Sequence, residues 1–425
     1  MSVNWQASRS NGLRGTITVP GDKSISHRAV MLSALAEGIS TIQGFLEGED
    51  TRATAKIFEQ LGVVIETPNA QTRVVYGVGM HGLKASSMPL DCGNAGTGMR
   101  LLTGLLSGQI FDSQLIGDAS LSKRPMARVI KLLEKMGAQI SARDDNFAPL
   151  NIQGGKHLKG VEINTLVASA QVKSALIFAA LYAQGETVIT EPRPTRDYTE
   201  SMLQALGWPI EYSPGRVVVH SGGQLKAGLI QIPGDISSAA FLIAAALLIP
   251  NSDITLHNIG VNPRRTGIIE AFQLMGGRIE LLNQRLQSGE KVADIRVQSS
   301  TLIGIDLPER LVPDMIDECP IFFVVAALAK GTTHATGLAE LRVKESDRIA
   351  SMVNGLKLMG AEISDQADSV VIQGGILHAA EIQSFEDHRI AMSFAIAAQC
   401  VDGVTSIHDC ANVATSFPGF VELAQ

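Results

Sequence analysis

The sequence predicts an α/β protein of two similar lobes, each holding three modules in which inner helices are surrounded by sheets and outer helices. Three features of the chain predict it. With 425 residues, the chain exceeds the size at which a single hydrophobic core usually stops growing. A Leu/Met-Gly-x-x-Ile pattern recurs at Leu61, Met136, Leu206, Met275 and Met359, at intervals of roughly 70 to 85 residues, a domain-scale repeat rather than a short solenoid one. A second pattern interleaves with it, with copies beginning at Ser24, Asn94, Ser169, Asp235, Glu318 and Asp387. Each copy runs from a polar start through a small-residue apolar helix and a Gly or Pro break to a β-branched strand.

Each element follows from local chemistry. In the first pattern, a stretch such as ARVIKLLEKMGAQI spaces apolar residues three and four apart, which predicts an amphipathic helix. The Gly after the last apolar turn supplies a left-handed stop, and the following Ile opens a strand. In the second pattern, stretches such as SAQVKSALIFAALYAQGETVIT lack a charged face, so their helices are expected to be buried on most sides. The polar residues then gather at the N-termini of these inner helices, where free N–H groups and the macrodipole favour anions.

Composition narrows the function. Apolar residues make up 45% and charged residues 18%, enough for large cores and inconsistent with disorder. A net charge of −7 with 4% aromatic residues speaks against nucleic-acid binding, which needs a basic face and stacking rings. Any cations that serve an anionic substrate must therefore be concentrated locally. Cys92, Cys319, Cys400 and Cys410 form no CxxC pair, so reduced and mostly buried thiols are expected, with no zinc or other metal site. No apolar signal core opens the chain, and the apolar run 239–250 is too short to cross a bilayer. A soluble cytoplasmic protein, without membrane or nucleic-acid partners, is predicted.

Several motifs carry chemistry. GVGMHG, from Gly77, matches GxGxxG, but Pro89 and no convincing helix follow, so it reads as a turn. PGDKSISHRA sets Lys23, Ser24 and Arg28 at a helix start, either as an anion site or as a capped surface helix. CGNAGTGMR leads through Asn94 and Gly96 into an apolar helix, suited to close ligand approach or to tight helix packing. KRPMARV puts Arg124 before Pro125, which fits the first turn of a helix. ASAQVKSA offers Ser169 and Gln171 as phosphate donors or as ordinary caps. RDYTESML places Arg196 ahead of an outer helix. VPDMIDECP supplies Asp314, Asp317 and Glu318. In LRVKESDRIA, Lys344 and Arg348 are expected four apart on one helical face, with Glu345 between them. FEDHRIAM sets Asp387, His388 and Arg389 before the last Ala-rich helix.

In this order PGDKSISHRA, GNAGTGMR, SAQVKSA, KESDR and DHRIAM resemble the 5-enolpyruvylshikimate-3-phosphate synthase family over essentially the whole chain. The wording of SAQVKSA, RDYTE and ATSFPGF is closer to its second sequence class than to its enteric class. The resemblance implies the inside-out α/β barrel of the enolpyruvyl transferases, two lobes of three βαβαββ units each. It implies one lobe from residues 1–20 plus 234–425, the other from 21–233, and an active site in the interlobe cleft. No cofactor or metal is implied, and a monomer is expected.

The activity implied is transfer of the enolpyruvyl group of phosphoenolpyruvate to the 5-hydroxyl of 3-phosphoshikimate, in the shikimate pathway to chorismate and the aromatic amino acids. The hydroxyl adds to C2 as C3 is protonated; phosphate then leaves the tetrahedral adduct as the methyl group loses a proton. By motif match, Asp314 corresponds to the group that holds and deprotonates the hydroxyl. Glu345 corresponds to the acid/base at C3, and Lys23 serves phosphoenolpyruvate and relays protons. Lys23, Ser24, Arg28, Ser169, Ala170, Gln171, Arg196, Asp314 and Lys344 correspond to 3-phosphoshikimate-binding positions. Lys23, Asn94, Gly96, Arg124, Gln171, Arg348 and Arg389 correspond to those around phosphoenolpyruvate, with His388 a further candidate. Ala170 replaces a Ser of the enteric class, and Thr415 replaces its C-terminal Lys. Gly96, which is Ala in glyphosate-tolerant members of the second class, predicts greater sensitivity to that inhibitor than theirs. Leu101 stands where the enteric class has Pro.

Two rival readings share these motifs. UDP-N-acetylglucosamine enolpyruvyltransferase has the same fold and donor but a Cys where GDASLSKRP has Ala119. A non-catalytic anion-binding protein would not call for Asp314 and Glu345 beside anionic ligands.

Overall fold

Five outer helices end in the same way. Helices Glu49–Gln60, Ala127–Lys135, Tyr198–Ala205, Gly267–Leu274 and Arg348–Leu358 are capped by Leu61, Met136, Leu206, Met275 and Met359. The next residues are Gly62, Gly137, Gly207, Gly276 and Gly360, with φ of 89°, 101°, 87°, 92° and 92°. Only glycine adopts such angles without a Cβ penalty, so the repeat marks where each helix stops and the chain turns into a strand.

The computed structural model describes residues 3–424 and divides into two compact units. Unit 1 comprises Met1–Pro20, Pro233–Arg285 and Lys291–Gln425; unit 2 comprises Gly21–Ile232 and Leu286–Glu290.

Unit 2 carries three four-stranded sheets on one plan: a parallel outer strand, a central strand, then an antiparallel hairpin. The module from Leu90–Asp91 shows it in chain order. Strand Leu90–Asp91 is followed by inner helix Gly96–Ser107, strand Ser113–Ile116, outer helix Ala127–Lys135 and hairpin strands Gln139–Arg143 and Phe147–Gln153. The module from Glu162–Asn164 repeats this with inner helix Ala170–Ala180. The third is closed from afar: Leu229–Gln231 pairs in parallel with Glu37–Gln43 and so supplies the first strand for inner helix Lys23–Leu35.

Unit 1 follows the same plan with departures. Arg14–Ile17 pairs in parallel with Asp253–Gly260, so the N-terminal segment opens the module of inner helix Ile236–Leu248. The module of helix Cys319–Leu328 has a three-stranded sheet, extended by parallel bridges from Ile303 to Lys330 and from Asp306 to His334. The module of helix His388–Ala398 has lost its hairpin: Trp5–Ser8 is its single antiparallel strand, and its outer helix is the short Phe420–Ala424. Three βαβαββ repeats per unit is therefore the underlying plan, shortened in the module of helix His388–Ala398.

The inner helices are the core. Every residue from Ile236 to Leu247 is buried, as their Ala-rich and uncharged sequences require. Close packing is visible at Gly104 in helix Gly96–Ser107: a Cβ there would lie 2.0 Å from the Ala175 carbonyl oxygen of helix Ala170–Ala180. The GxGxxG match at Gly77 is strand and turn, with Gly77 closing strand Thr72–Val78 onto the Ala36 and Ser33 carbonyls. The four cysteines are free, three of them buried. Among the described residues no helix is long and apolar enough to cross a membrane, and no group of three His, Cys, Asp or Glu could hold a metal.

Candidate functional site

In unit 2 the candidate residues sit at the starts of the three inner helices. Asp22 caps helix Lys23–Leu35, accepting from the Ile25 amide at 2.8 Å, while its other oxygen accepts from the Tyr198 hydroxyl at 3.1 Å. Lys23, the first helical residue, is ion-paired with Asp50 from the start of the neighbouring outer helix. Arg28, one turn further, is 2% exposed. Its Nε donates to Thr199 Oγ1 at 2.7 Å, one terminal nitrogen to Ser174 Oγ at 2.8 Å and the other to the Ser24 carbonyl at 2.8 Å. Burial and the neighbouring Arg196 charge bring its pKa down to about 10, against the opposing pull of Glu200 and Asp22. Arg28 thus holds full charge at neutral pH inside the core, and Arg196 adds a second cation beside it.

The second start is built around Gly96. Helix Gly96–Ser107 has no side-chain cap, and Arg124 lies against its entry, donating to Asn94 Oδ1 at 2.5 Å and Ser120 Oγ at 3.4 Å. Asn94 in turn donates to Asp118 at 2.7 Å. A Cβ on Gly96 would lie 3.1 Å from an Arg124 nitrogen and 3.2 Å from an Arg100 nitrogen. Arg124 does not stand in a helical first turn, contrary to the sequence expectation. The helix begins at Ala127, because Asn146 Oδ1 accepts from the Met126 and Ala127 amides and caps it from outside. Arg124 is extended, as the residue before a proline prefers.

The third start joins the second. Ser169 caps helix Ala170–Ala180 through a long contact of 3.5 Å to the Val172 amide. Gln171 donates to Thr97 at 2.9 Å and accepts from Arg100 at 2.6 Å. Arg100 and Asp50 were not singled out as site residues from sequence. Arg100 lies within the quoted GNAGTGMR motif, whereas no spacing marks Asp50.

In unit 1 the corresponding starts are acidic as well as basic. Glu318, ahead of helix Cys319–Leu328, accepts from Ser237 of helix Ile236–Leu248 and from Arg389 of helix His388–Ala398, the latter at 3.4 Å. One carboxylate therefore ties all three inner helices together. Arg265, 5% exposed, lies 3.8 Å from Glu318, 3.6 Å from Asp317 and 3.4 Å from Asp235. It too was missed, since nothing in NPRRTG distinguishes Arg265 from the half-exposed Arg264. Arg264 lies 3.3 Å from Asp314.

Lys344 and Arg348 do not share a helical face. Asp347 caps helix Arg348–Leu358 by accepting from the Ala350 amide at 3.0 Å, which confines Lys344 and Glu345 to the preceding turn. Both cations nevertheless meet at Asp317, at 3.3 and 3.6 Å. Arg348, 1% exposed, donates to Glu345 at 2.6 Å and to Asp387 at 2.8 Å. Burial works to lower its pKa, but Asp387 and Glu345 raise it above the ordinary arginine value. Asp387 also caps the last inner helix through the Arg389 amide at 2.9 Å, with buried His388 between them. Thr415 turns its hydroxyl to the Asn412 carbonyl at 2.7 Å.

Six inner-helix starts lined by charged and polar side chains, three in each unit, go with an enzyme of the enolpyruvyl-transferase fold. That fold is shared with the enolpyruvyl transferase NikO from Streptomyces tendae, at a TM-score of 0.80 with 16% identity over 99% of this chain and 96% of that one. The chain belongs to the EPSP synthase (3-phosphoshikimate 1-carboxyvinyltransferase) family, whose profile matches residues 8–423. It is 56% identical to 3-phosphoshikimate 1-carboxyvinyltransferase of Xanthomonas euvesicatoria pv. vesicatoria (strain 85-10), and 57% identical to that of Xanthomonas campestris pv. campestris (strain B100). Each alignment covers 99% of this chain and 96% of the relative. The structure of EPSP synthase from Acinetobacter baumannii superposes with a TM-score of 0.91 at 48% identity, over 100% of this chain and 98% of that one.

Proposed function

We infer that this chain transfers the enolpyruvyl group of phosphoenolpyruvate to the 5-hydroxyl of 3-phosphoshikimate and releases phosphate. The observation that carries this reading is Glu345 held 2.6 Å from Arg348, beside Lys344 and Asp317. It sets a proton-transfer carboxylate among cations suited to the donor's phosphate and carboxylate.

The roles proposed are those that the motif matches assign. Asp314 orients the attacking hydroxyl and takes its proton; Arg264, 3.3 Å away, holds that carboxylate in place. Glu345 protonates C3 and later removes a proton from the new methyl group. Lys23, with Asp50 behind it, Arg124, Gln171, Arg348 and Arg389 bind phosphoenolpyruvate, and the four cations among them stabilise charge that builds on the departing phosphate. Asn94 and Gly96 let that substrate approach the helix entry. Ser24, Arg28, Ser169, Ala170, Gln171, Arg196 and Lys344 hold 3-phosphoshikimate, Ala170 through its backbone. His388 stands near the Arg389 end of the donor. In this reading the enzyme works in the cytoplasm as a monomer.

The test is an incubation with phosphoenolpyruvate and either 3-phosphoshikimate or UDP-N-acetylglucosamine, reading inorganic phosphate. Release with the first acceptor alone is expected. Release with the nucleotide sugar, or with neither, overturns the reading.

A further inference from the structure

Behind the Arg28 and Arg196 pair lies a buried ionic cluster that the reaction does not use. Lys173, on helix Ala170–Ala180, has a side chain only 3% exposed, and its ammonium lies 2.9 Å from Glu191 and 2.9 Å from Glu200. Its remaining contact is the Thr195 carbonyl at 3.4 Å. The ammonium, a donor only, is therefore enclosed by two carboxylates and a carbonyl of its own unit. Glu191 in turn accepts from the Thr195 amide at 3.3 Å and hydroxyl at 2.5 Å. Glu191 and Thr195 belong to the connection between strand Thr187–Thr190 and helix Tyr198–Ala205, which also carries Arg196, and Glu200 stands in the first turn of that helix.

Burial works to depress the Lys173 ammonium, but Glu200 and Glu191 together hold it above its ordinary value, so it stays charged. Glu200 and Asp22 both favour the charged form of Arg28, while burial and Asp197 push the Glu200 carboxyl above its ordinary value against the pull of Lys173. Thr199 completes the link, since it accepts from Arg28 and donates to Ser174 at 2.8 Å. The Arg196 connection is thus fastened to the inner helix at Lys173, and the helix that follows it to Arg28 at Thr199.

We propose that Lys173 is a positioning residue for the phosphate of 3-phosphoshikimate: it fastens the 191–197 connection to helix Ala170–Ala180 so that Arg196 stands beside Arg28. The proposal rests on the reading that Arg196 binds that phosphate, and acts through Arg196 alone.

The test is a double-mutant cycle on steady-state constants, with Lys173→Met, Arg196→Ala and the pair. Lys173→Met is expected to raise KM for 3-phosphoshikimate at least tenfold, with KM for phosphoenolpyruvate and kcat within about twofold. The same substitution is expected to add nothing once Arg196 is Ala, because coupled residues are not additive. Glu191→Gln, which keeps Lys173 paired with Glu200, gives the same selective rise and serves if Lys173→Met does not fold. Equal rises in both KM values, additive effects in the cycle, or no change for 3-phosphoshikimate overturn the proposal. If Arg196→Ala leaves that KM unchanged, the underlying assignment of Arg196 is what fails.

Discussion

Arg348 and Asp387 form a buried ion pair, with Nε 2.8 Å from the carboxylate and side chains 1% and 0% exposed. Burial pushes the Asp387 carboxyl up and Glu345 adds to that push, yet the Arg348 charge and hydrogen bond bring it below its ordinary value, aided by His388. The same carboxylate caps the last inner helix, so one group fixes both a candidate substrate cation and a helix start.

The sign of the pH dependence follows. A carboxyl with a lowered folded-state pKa contributes stability that is present above its unfolded value, ~4, and is lost as pH falls through the lower folded value. The melting temperature is therefore expected to drop below about pH 4 with a contribution absent from Asp387→Asn. At neutral pH that variant leaves Arg348 without its main partner and should lose about 3–5 kcal/mol. Denaturant melts of the two proteins at pH 7 and in acid check this, and equal stability at pH 7 speaks against it.

Glu345→Gln keeps the side-chain shape and removes the proton-transfer group. Turnover is expected to fall on the order of 10²–10⁴-fold, with both KM values changed little and the melting temperature retained. A rise in KM at unchanged turnover would make Glu345 a binding residue only.

Arg100 joins two inner helices through its 2.6 Å bond to Gln171. Arg100→Met leaves the Gln171 oxygen without its charged donor, worth about 1.5–3 kcal/mol, so kcat/KM should fall roughly tenfold or more. Because Gln171 is assigned to both substrates, both KM values should move. Kinetics titrated in each substrate separately decide it, and a loss confined to thermal stability counts against the assignment.

Gly96→Ala brings a methyl within 3.1 and 3.2 Å of the Arg124 and Arg100 guanidinium nitrogens, closer than most Cβ contacts. Both can shift only by moving against Asn94 and Gln171. The variant is expected to weaken phosphoenolpyruvate modestly and glyphosate much more, since the longer inhibitor fills more of the same space. Inhibition curves near the KM of phosphoenolpyruvate provide the comparison; an unchanged ratio of the two constants contradicts it.

What was legible in the chain depended on whether the signal was local. The five helix-ending glycines and the caps Ser169, Asp235 and Asp387 stand where the repeat placed them, because a left-handed stop or an N-cap is decided within a few residues. Lys344 was misplaced onto a helix because Asp347, three residues on, competes for the cap and wins. Leu229–Gln231 and Trp5–Ser8 find their sheets across long stretches of chain, and no short-range pattern reports that pairing. Arg100, Arg265 and Lys173 were missed for a related reason: each matters through the carboxylates and amides around it, which only the fold assembles.

The most direct measurement runs the reaction in deuterium oxide and analyses the transferred group. Addition followed by elimination passes through a methyl group at C3, so wild-type product should carry deuterium in its vinyl methylene, with phosphate released only when 3-phosphoshikimate is present. Product without deuterium, or phosphate release indifferent to that acceptor, would contradict enolpyruvyl transfer by this route.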